Sequence, residues 1–412
     1  MEKLQRNKAV GWVIFLFILV TGYLIRVIDG YNIVYFTLLF AAIFLVIPFR
    51  FAFGSFQVHL SRILLGCLFI FSGFVKGVDP VGTKYRIEDY FIAFGTEWAS
   101  PLALALSLIM NAWEFILGII LIFNIRMKTM RWLLLLTMVF FTVITINDAF
   151  NNPVPDCGCF GDALVITNWQ TLYKNLVINA LLLIVFFTAG KSRDLLSIRS
   201  QWLVALGFMI GFLSFEVYNV RHLPVMDFRD WKVGNRMAHE NPLPKKYYLT
   251  YKNIDTGETE EYLSPDYPYD DSAWAATHEF VRQRVVDPNP PLHTLHLEDE
   301  QGGDFTAAVI ENEDLQYIMV AEDLDKTSLK NMERIRRFIL ACHEEGVSFV
   351  MITSSLPDQA KAFVEDNGLD VDVYYADDVT LKAMIRSNPG LVALRDAVVV
   401  GKWHYIDWPT NP

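Results

Sequence analysis

The feature that most constrains this chain is a succession of apolar runs in its first half that stops near residue 222. A helix needs about 20 apolar residues to cross roughly 30 Å of bilayer hydrocarbon, and its backbone must satisfy its own polar groups there. Seven runs are candidates: 9–28, 31–48, 61–78, 101–123, 132–146, 171–189 and 202–218. The expected fold class is therefore a polytopic α-helical membrane domain over 1–222. The first run follows Lys3, Arg6 and Lys8 much as a signal peptide would. No small-residue cleavage site follows it and Arg26 leads straight into the next run, so it reads as an uncleaved span.

Basic residues set the expected orientation, because cytoplasmic connections carry an excess of Lys and Arg. Counted from an inside N-terminus, the inside connections hold Arg50 and Arg62, then Arg126, Lys128 and Arg131, then Lys191, Arg193 and Arg199. The outside connections are Asp29-Gly30, a mixed-charge loop over 78–100, and a loop whose only charges are Asp148, Asp156 and Asp162. Seven spans would put the polar second half outside as well. In a bacterial inner membrane that is the periplasm, where disulfides persist. The net charge of -11 is carried largely by that second half and argues against a nucleic-acid partner.

The acidic outside loop contains Asp156-Cys157-Gly158-Cys159-Phe160-Gly161. Residues at i and i+2 can bridge only if the chain between them turns sharply, which Gly158 permits, and a strained small ring is readily exchanged. Spacing alone leaves a redox pair and a pair of packed thiols equally open. Asp156 and Asp162 are expected to raise the thiol pKa values. Thr167 and Gln170 read as a capping box opening the sixth span. Tyr85, Ile87, Tyr90, Phe91 and Phe94, interleaved with Lys84, Arg86, Glu88 and Asp89, read as a short interfacial helix that either roofs the cysteines or serves only as an aromatic anchor.

Within the spans, Glu114 is the polar group that asks for an explanation. It is a candidate for proton movement or for binding a quinone headgroup, and packing through hydrogen bonds is the plainer alternative. Lys76 is expected to snorkel to the surface, and Cys67 to be a small packing residue. His293 and His296 lack a second ligand pair, so no metal site is expected.

Three segments together are similar to a known group. The runs from Arg62 to Gly66 and Phe71 to Lys76, the run from Trp113 to Gly118, and the Cys157 to Gly161 loop resemble the DoxX-like family of redox-associated membrane proteins, most of all its MauE-type branch. The resemblance covers about residues 55–190. It implies a four-helix membrane core engaged in thiol, disulfide or quinone chemistry, with Cys157 and Cys159 as the redox pair and Glu114 as a core polar position.

The second half divides into a connecting β-rich segment, 223–298, and an α/β domain, 299–412. A hairpin is expected from 247–251 and 259–262 around Asp255-Thr256-Gly257, and Asp287-Pro288-Asn289-Pro290-Pro291 reads as a boundary. Strands at 317–321, 349–353 and 371–375 alternate with helices at 328–345, 357–367 and 379–387 before a closing hairpin, 391–393 with 397–403. This order, with Asn388-Pro389 just before the hairpin, resembles the thioredoxin-like fold, which implies a cis proline there. That fold's oxidoreductases carry Cys-x-x-Cys after the first core strand; here the join reads Glu322-Asp323-Leu324-Asp325-Lys326-Thr327. Cys342 lies on the apolar stripe Met332, Ile335, Phe338, Ile339 and does not substitute for it.

Two functions follow as expectations. One is a thiol–disulfide redox protein that exchanges electrons between a periplasmic partner and the quinone pool through Cys157 and Cys159. The other is a non-enzymatic, membrane-anchored scaffold whose cysteine-free thioredoxin-like domain recruits envelope clients. Transport has only Glu114 in its favour, without repeats or broken helices.

Overall fold

The computed structural model of the protein describes residues 7–188 and 196–412. Lys3, Arg6, Lys191 and Arg193, used above for orientation, and residue 189 of the sixth run lie outside the described residues. The chain divides into two compact units, the first ending at Arg229 and the second spanning Asp230–Pro412.

The first unit is helical: α1 (Lys8–Tyr23), α2 (Ile33–Val46), α3 (Ser55–Val78), α4 (Pro80–Ala93), α5 (Ala103–Phe123), α6 (Met127–Asn151), α7 (Asn168–Thr188) and α8 (Ile198–Arg221). Six of these segments are long and apolar enough to cross a membrane, and the chain is a multi-pass membrane protein with a separate sheet-containing domain. The run expected to form the second full span gives a shorter helix, α2. Asn32 caps that helix by accepting from the Tyr35 amide at 3.1 Å, and turns from residue 47 end it after 14 residues. At 1.5 Å per residue it is about 21 Å long, short of the hydrocarbon thickness. The fifth and seventh runs instead extend well beyond their apolar cores, to 25 and 24 residues.

The loop before α7 and the end of α8 lie at one end of the bundle whatever α2 does, since α7 and α8 form an out-and-back pair. Asn219, near the end of α8, donates to the carbonyl of Gly77 at the end of α3 (2.9 Å).

The helices α3, α5, α6 and α7 enclose the core, with Leu65, Phe69, Leu117, Leu134, Met138 and Leu181 buried among them. Glycines draw α3 and α5 together: a Cβ on Gly118 would stand 2.7 Å from the Gly66 carbonyl, and one on Gly73 2.6 Å from the Phe115 amide. Small residues of this kind let membrane helices approach backbone to backbone.

The second unit holds two sheets. The strands β1 (Lys246–Asn253), β2 (Thr259–Leu263) and β3 (His278–Val286) form an antiparallel sheet ordered β2-β1-β3. The hairpin was expected; β3 was not. The larger sheet runs β6-β5-β4-β7-β8, from β4 (Gln316–Val320), β5 (Ser348–Thr353), β6 (Asp372–Tyr375), β7 (Gly390–Arg395) and β8 (Val398–His404). β4, β5 and β6 are parallel, and β7 and β8 antiparallel. The stripe Met332, Ile335, Phe338, Ile339 and Cys342 is buried against this sheet, and Asn388-Pro389 is cis.

Candidate functional site

The cysteine loop is clamped where it leaves and re-enters the bundle. Asn152 ends α6 in a left-handed conformation, and Asn168 at the start of α7 donates to the Asn152 side chain (2.8 Å) and to the Val154 carbonyl (2.9 Å). The expected capping box is present: the Thr167 amide donates to Gln170 Oε1 (3.1 Å) and the Gln170 amide to Thr167 Oγ1 (3.3 Å).

Between these clamps the chain folds tightly. Asp156 Oδ1 accepts from the Gly158 amide (2.8 Å), the Gly161 amide donates to the Gly158 carbonyl (3.0 Å), and Gly158 takes φ +63°. The turn brings the two sulfurs to 3.4 Å, unbonded and half-buried.

The short helix α4 lies against this loop. Arg86 Nη2 pairs with Asp156 Oδ2 (2.8 Å), and Tyr90 donates to Asp148 Oδ2 (2.6 Å). A Cβ at position 158 would meet the Arg86 Cγ at 3.3 Å, so glycine there also makes room for the arginine stem.

Beneath the loop, α3 and α5 present a buried polar cluster. Lys76 and Glu114 form an ion pair with side chains 5 % and 4 % exposed. Lys76 therefore does not snorkel: the close α3–α5 crossing turns it inward, onto Glu114. Ser72, one turn before Lys76, places its Oγ 2.7 Å from Glu114 Oε2 and 2.8 Å from the Cys159 carbonyl, sharing one proton between two acceptors. Asn111 donates to the Lys76 carbonyl (3.2 Å). Two further expectations are corrected. Cys67 is exposed on the outer face of α3 instead of packed inside, and Arg62 is buried in α3, because that helix begins at Ser55.

The two sulfurs have different surroundings. A hydrogen bond from Cys157 holds the Cys159 thiol down to about 6, with Lys174 and Lys76 adding to the effect against the cost of burial. Cys157 is pushed well above the ordinary thiol value by its hydrogen bond to Cys159 and by burial. The expectation that Asp156 and Asp162 would raise both thiols fails for Cys159. Asp156 is neutralised by Arg86, and lysines from α3 and α7 face the sulfur instead. Lys174 also sits 4.5 Å over the Phe160 ring, which fixes its head beside the loop.

A cavity of about 690 Å³ opens below Cys157 and Cys159, bounded by Lys76 and Glu114, by Tyr90 of α4 and by apolar side chains such as Phe69, Met110 and Phe141. The structure thus brings all three sequence candidates, Cys157, Cys159 and Glu114, to one site. It adds Ser72, Lys76, Arg86, Tyr90, Asp148 and Lys174. The i, i+4 spacing of Ser72 and Lys76 on one helix face was a signal available in the sequence. Among the described residues, no group of three or more His, Cys, Asp or Glu is placed to hold a metal.

Residues 54–190 match the family model described as methylamine utilisation protein MauE. The matched segment starts one residue before α3 and ends just past α7, so it contains the four-helix core, the roofing helix and the whole cysteine loop. It covers about a third of the chain. No curated protein and no solved structure matches.

Proposed function

We propose that the helical domain is a thiol–disulfide redox protein of the bacterial inner membrane in which Cys157 and Cys159 cycle between dithiol and disulfide. They exchange with a thiol protein of the periplasm. The observation that carries this is the pair of adjacent sulfurs held at 3.4 Å in unequal surroundings, one favoured as thiolate and the other as thiol. Exchange needs that combination, since a thiolate attacks and a second sulfur resolves.

The electron pair, in this proposal, passes to membrane quinone. The cavity falls within the range of about 300–1,000 Å³ typical of small-molecule sites and is mostly apolar, with Lys76, Glu114 and Ser72 converging as its polar groups. They would hold the headgroup oxygen. Closing the disulfide gives up two electrons and, with one proton from the medium replacing the one that Cys159 has already lost, two protons, which together reduce quinone to quinol.

The orientation proposed has the bundle end bearing Arg126, Lys128, Arg131 and Arg199 in the cytoplasm, with the N-terminus beside it. The cysteine loop and residues 230–412 are then periplasmic. The four-helix core of α3, α5, α6 and α7 supports a DoxX-like assignment.

A second reading, a non-enzymatic scaffold, is favoured by one observation in the second unit. Its layout supports a thioredoxin-like domain, yet the join after β4 has no cysteine and is closed onto the proline loop. Thr327 donates to Asn388 Oδ1 (2.8 Å) and Asn388 Nδ2 to the Asp323 carbonyl (2.8 Å). Cys342 is fully buried and pushed up to about 12 by burial. Such a domain recruits an envelope client without exchanging thiols with it.

The test is the in vivo redox state of Cys157 and Cys159 together with trapping in Cys157→Ser and Cys159→Ser backgrounds. Redox function predicts a mixed disulfide with an envelope protein in one background and loss of cellular function in both. Full function in both variants would leave only the scaffold.

A further inference from the structure

The cavity below Cys157 and Cys159 opens sideways, towards the lipid. Leu106 and Ile109 of α5 and Phe140 of α6 line it, yet they are 41 %, 64 % and 56 % exposed. Side chains that touch both a cavity and the outer surface of a helical bundle mark the place where the two meet. The connection between α5 and α6 explains why the gap lies here. Residues 124–126, with Asn124 and Arg126 in the left-handed conformation, turn the chain at once and hold the two helices together at that end. At mid-length Trp113 Nε1 donates to Thr137 Oγ1 (3.0 Å), and between this bridge and the turn Leu117, Leu121 and Leu134 are fully buried. Beyond the bridge, on the side that bears the cysteine loop, the helices part. The result is a window with Trp113–Thr137 as its sill, and with Ile87 and Phe91 of α4 lining the cavity on the loop side.

The two ends of this space select what fits it. At the closed end Lys76 and Glu114 neutralise each other, with Ser72 beside them. A head with oxygen acceptors and no net charge suits that end, since the Lys76 ammonium has three donors and Glu114 takes one of them. The way out to the lipid is apolar, through Ile109, Met110, Phe140 and Phe141. A phospholipid chain slipping in sideways would bring its apolar tip to the ion pair and leave its charged head at the surface, which is the wrong way round. An uncharged polar head on a long apolar chain fits in one direction only, head inward.

Resting on the quinone reading above, we infer that the electron acceptor is a long-tailed quinone dissolved in the bilayer, which enters head first between α5 and α6 and leaves its isoprenoid tail in the window formed by Leu106, Ile109 and Phe140. The periplasmic thiol partner meets the sulfurs from the water side and is oxidised by the Cys157–Cys159 disulfide. The resulting dithiol is reoxidised from the lipid side. Its two electrons pass to the quinone, whose two oxygens take up one proton from Cys157 and one from the medium, giving disulfide and quinol. Donor and acceptor thus arrive from different solvents and do not compete for one entrance.

The test uses the reduced full-length protein in lipid nanodiscs and two probes: a benzoquinone with a long isoprenoid tail, and the same headgroup with a methyl in place of the tail. Disulfide formation is followed by thiol alkylation and mass spectrometry. Ile109→Trp fills the window and should lower the ratio of the two oxidation rates, tailed over tail-less, by about tenfold or more, the factor that an ordinary overpacking penalty corresponds to. Val139→Trp places the same bulk on an exposed position of α6 that does not line the cavity, and should leave both rates as in wild type. A second readout needs no turnover. A tailed quinone with a photoreactive group on its tail should label α5 and α6 at Leu106, Ile109 or Phe140, and excess tailed quinone should abolish that labelling.

An unchanged rate ratio in Ile109→Trp, labelling confined to other positions, or window labelling that excess tailed quinone does not displace would overturn the inference while the quinone reading stands. Displaceable window labelling by a quinone that never oxidises the wild-type pair would instead overturn the quinone reading, and the absence of both labelling and oxidation would overturn the two together.

Discussion

The ion pair below the cysteine loop makes the sharpest prediction about how this bundle is held. Lys76→Gln leaves the Glu114 carboxyl in a membrane interior with Ser72 as its one remaining donor among the described residues. Removing one member of a buried ion pair costs about 3–5 kcal/mol, whereas replacing both with neutral groups of similar shape is often neutral or stabilising. A hydrogen bond to a charged acceptor recovers about 1.5–3 kcal/mol. Ser72 already spends its single proton on two acceptors, so that recovery is not available in full. The expected order of stability is therefore wild type close to the Lys76→Gln/Glu114→Gln double variant, with Lys76→Gln well below both. For a unit of this size about 2–4 °C accompanies each kcal/mol. The single variant should then lose about 6–20 °C in Tm and the double stay within about 4 °C of wild type. Near-UV circular dichroism of the detergent-solubilised protein, scanned at one fixed rate, measures this. Equal losses in the single and double variants would show that the two side chains do not act as a pair, and no loss in Lys76→Gln would show that Glu114 needs no cation.

Further outcomes follow from the same geometry. Cys159 should be half-maximally alkylated near pH 6, below the midpoint of Cys157. Lys174→Gln removes a positive charge that favours the thiolate, so it must move that midpoint upward; iodoacetamide mapping over pH 5–9 reads both, and an unmoved midpoint would count against the lysine. Gly118→Val drives a side chain into the Gly66 carbonyl and Ile70 amide; overpacking costs about 1–3 kcal/mol or more, expected as a lower Tm and a lost α3–α5 cysteine cross-link. Arg86→Ala unpins α4 from Asp156 and should raise labelling of Cys157 and Cys159 by an impermeant maleimide several-fold, with unchanged labelling showing that α4 is no roof.

Much of the architecture was legible from the residues, and the exceptions have physical causes. Apolar length located the helices because lipid leaves few alternatives, and the Thr167–Gln170 box fixed the start of α7 because capping is local. The 31–48 run is longer than α2 because apolarity continues past the turn at residue 47 that ends the helix. β3 escaped notice because both of its faces are largely exposed, so no alternation marks it. The cysteine pair and Glu114 were visible as residue types in costly places. Their partners were not: Lys76 reads as a snorkelling residue until the rotation of α3 against α5 is known, and glycine contacts between residues about 40 to 50 apart in sequence set that rotation. Asp148 read as a loop charge because α6 extends five residues beyond its apolar run.

Ser72 has a consequence for how the loop is tied to the bundle. Its one hydroxyl proton is divided between a buried carboxylate and a peptide oxygen in the loop above. A change at either acceptor shifts that hydrogen towards the other and alters the hold on the turn that carries the sulfurs. The bilayer interior and the surface loop are thus joined mechanically through a single side chain.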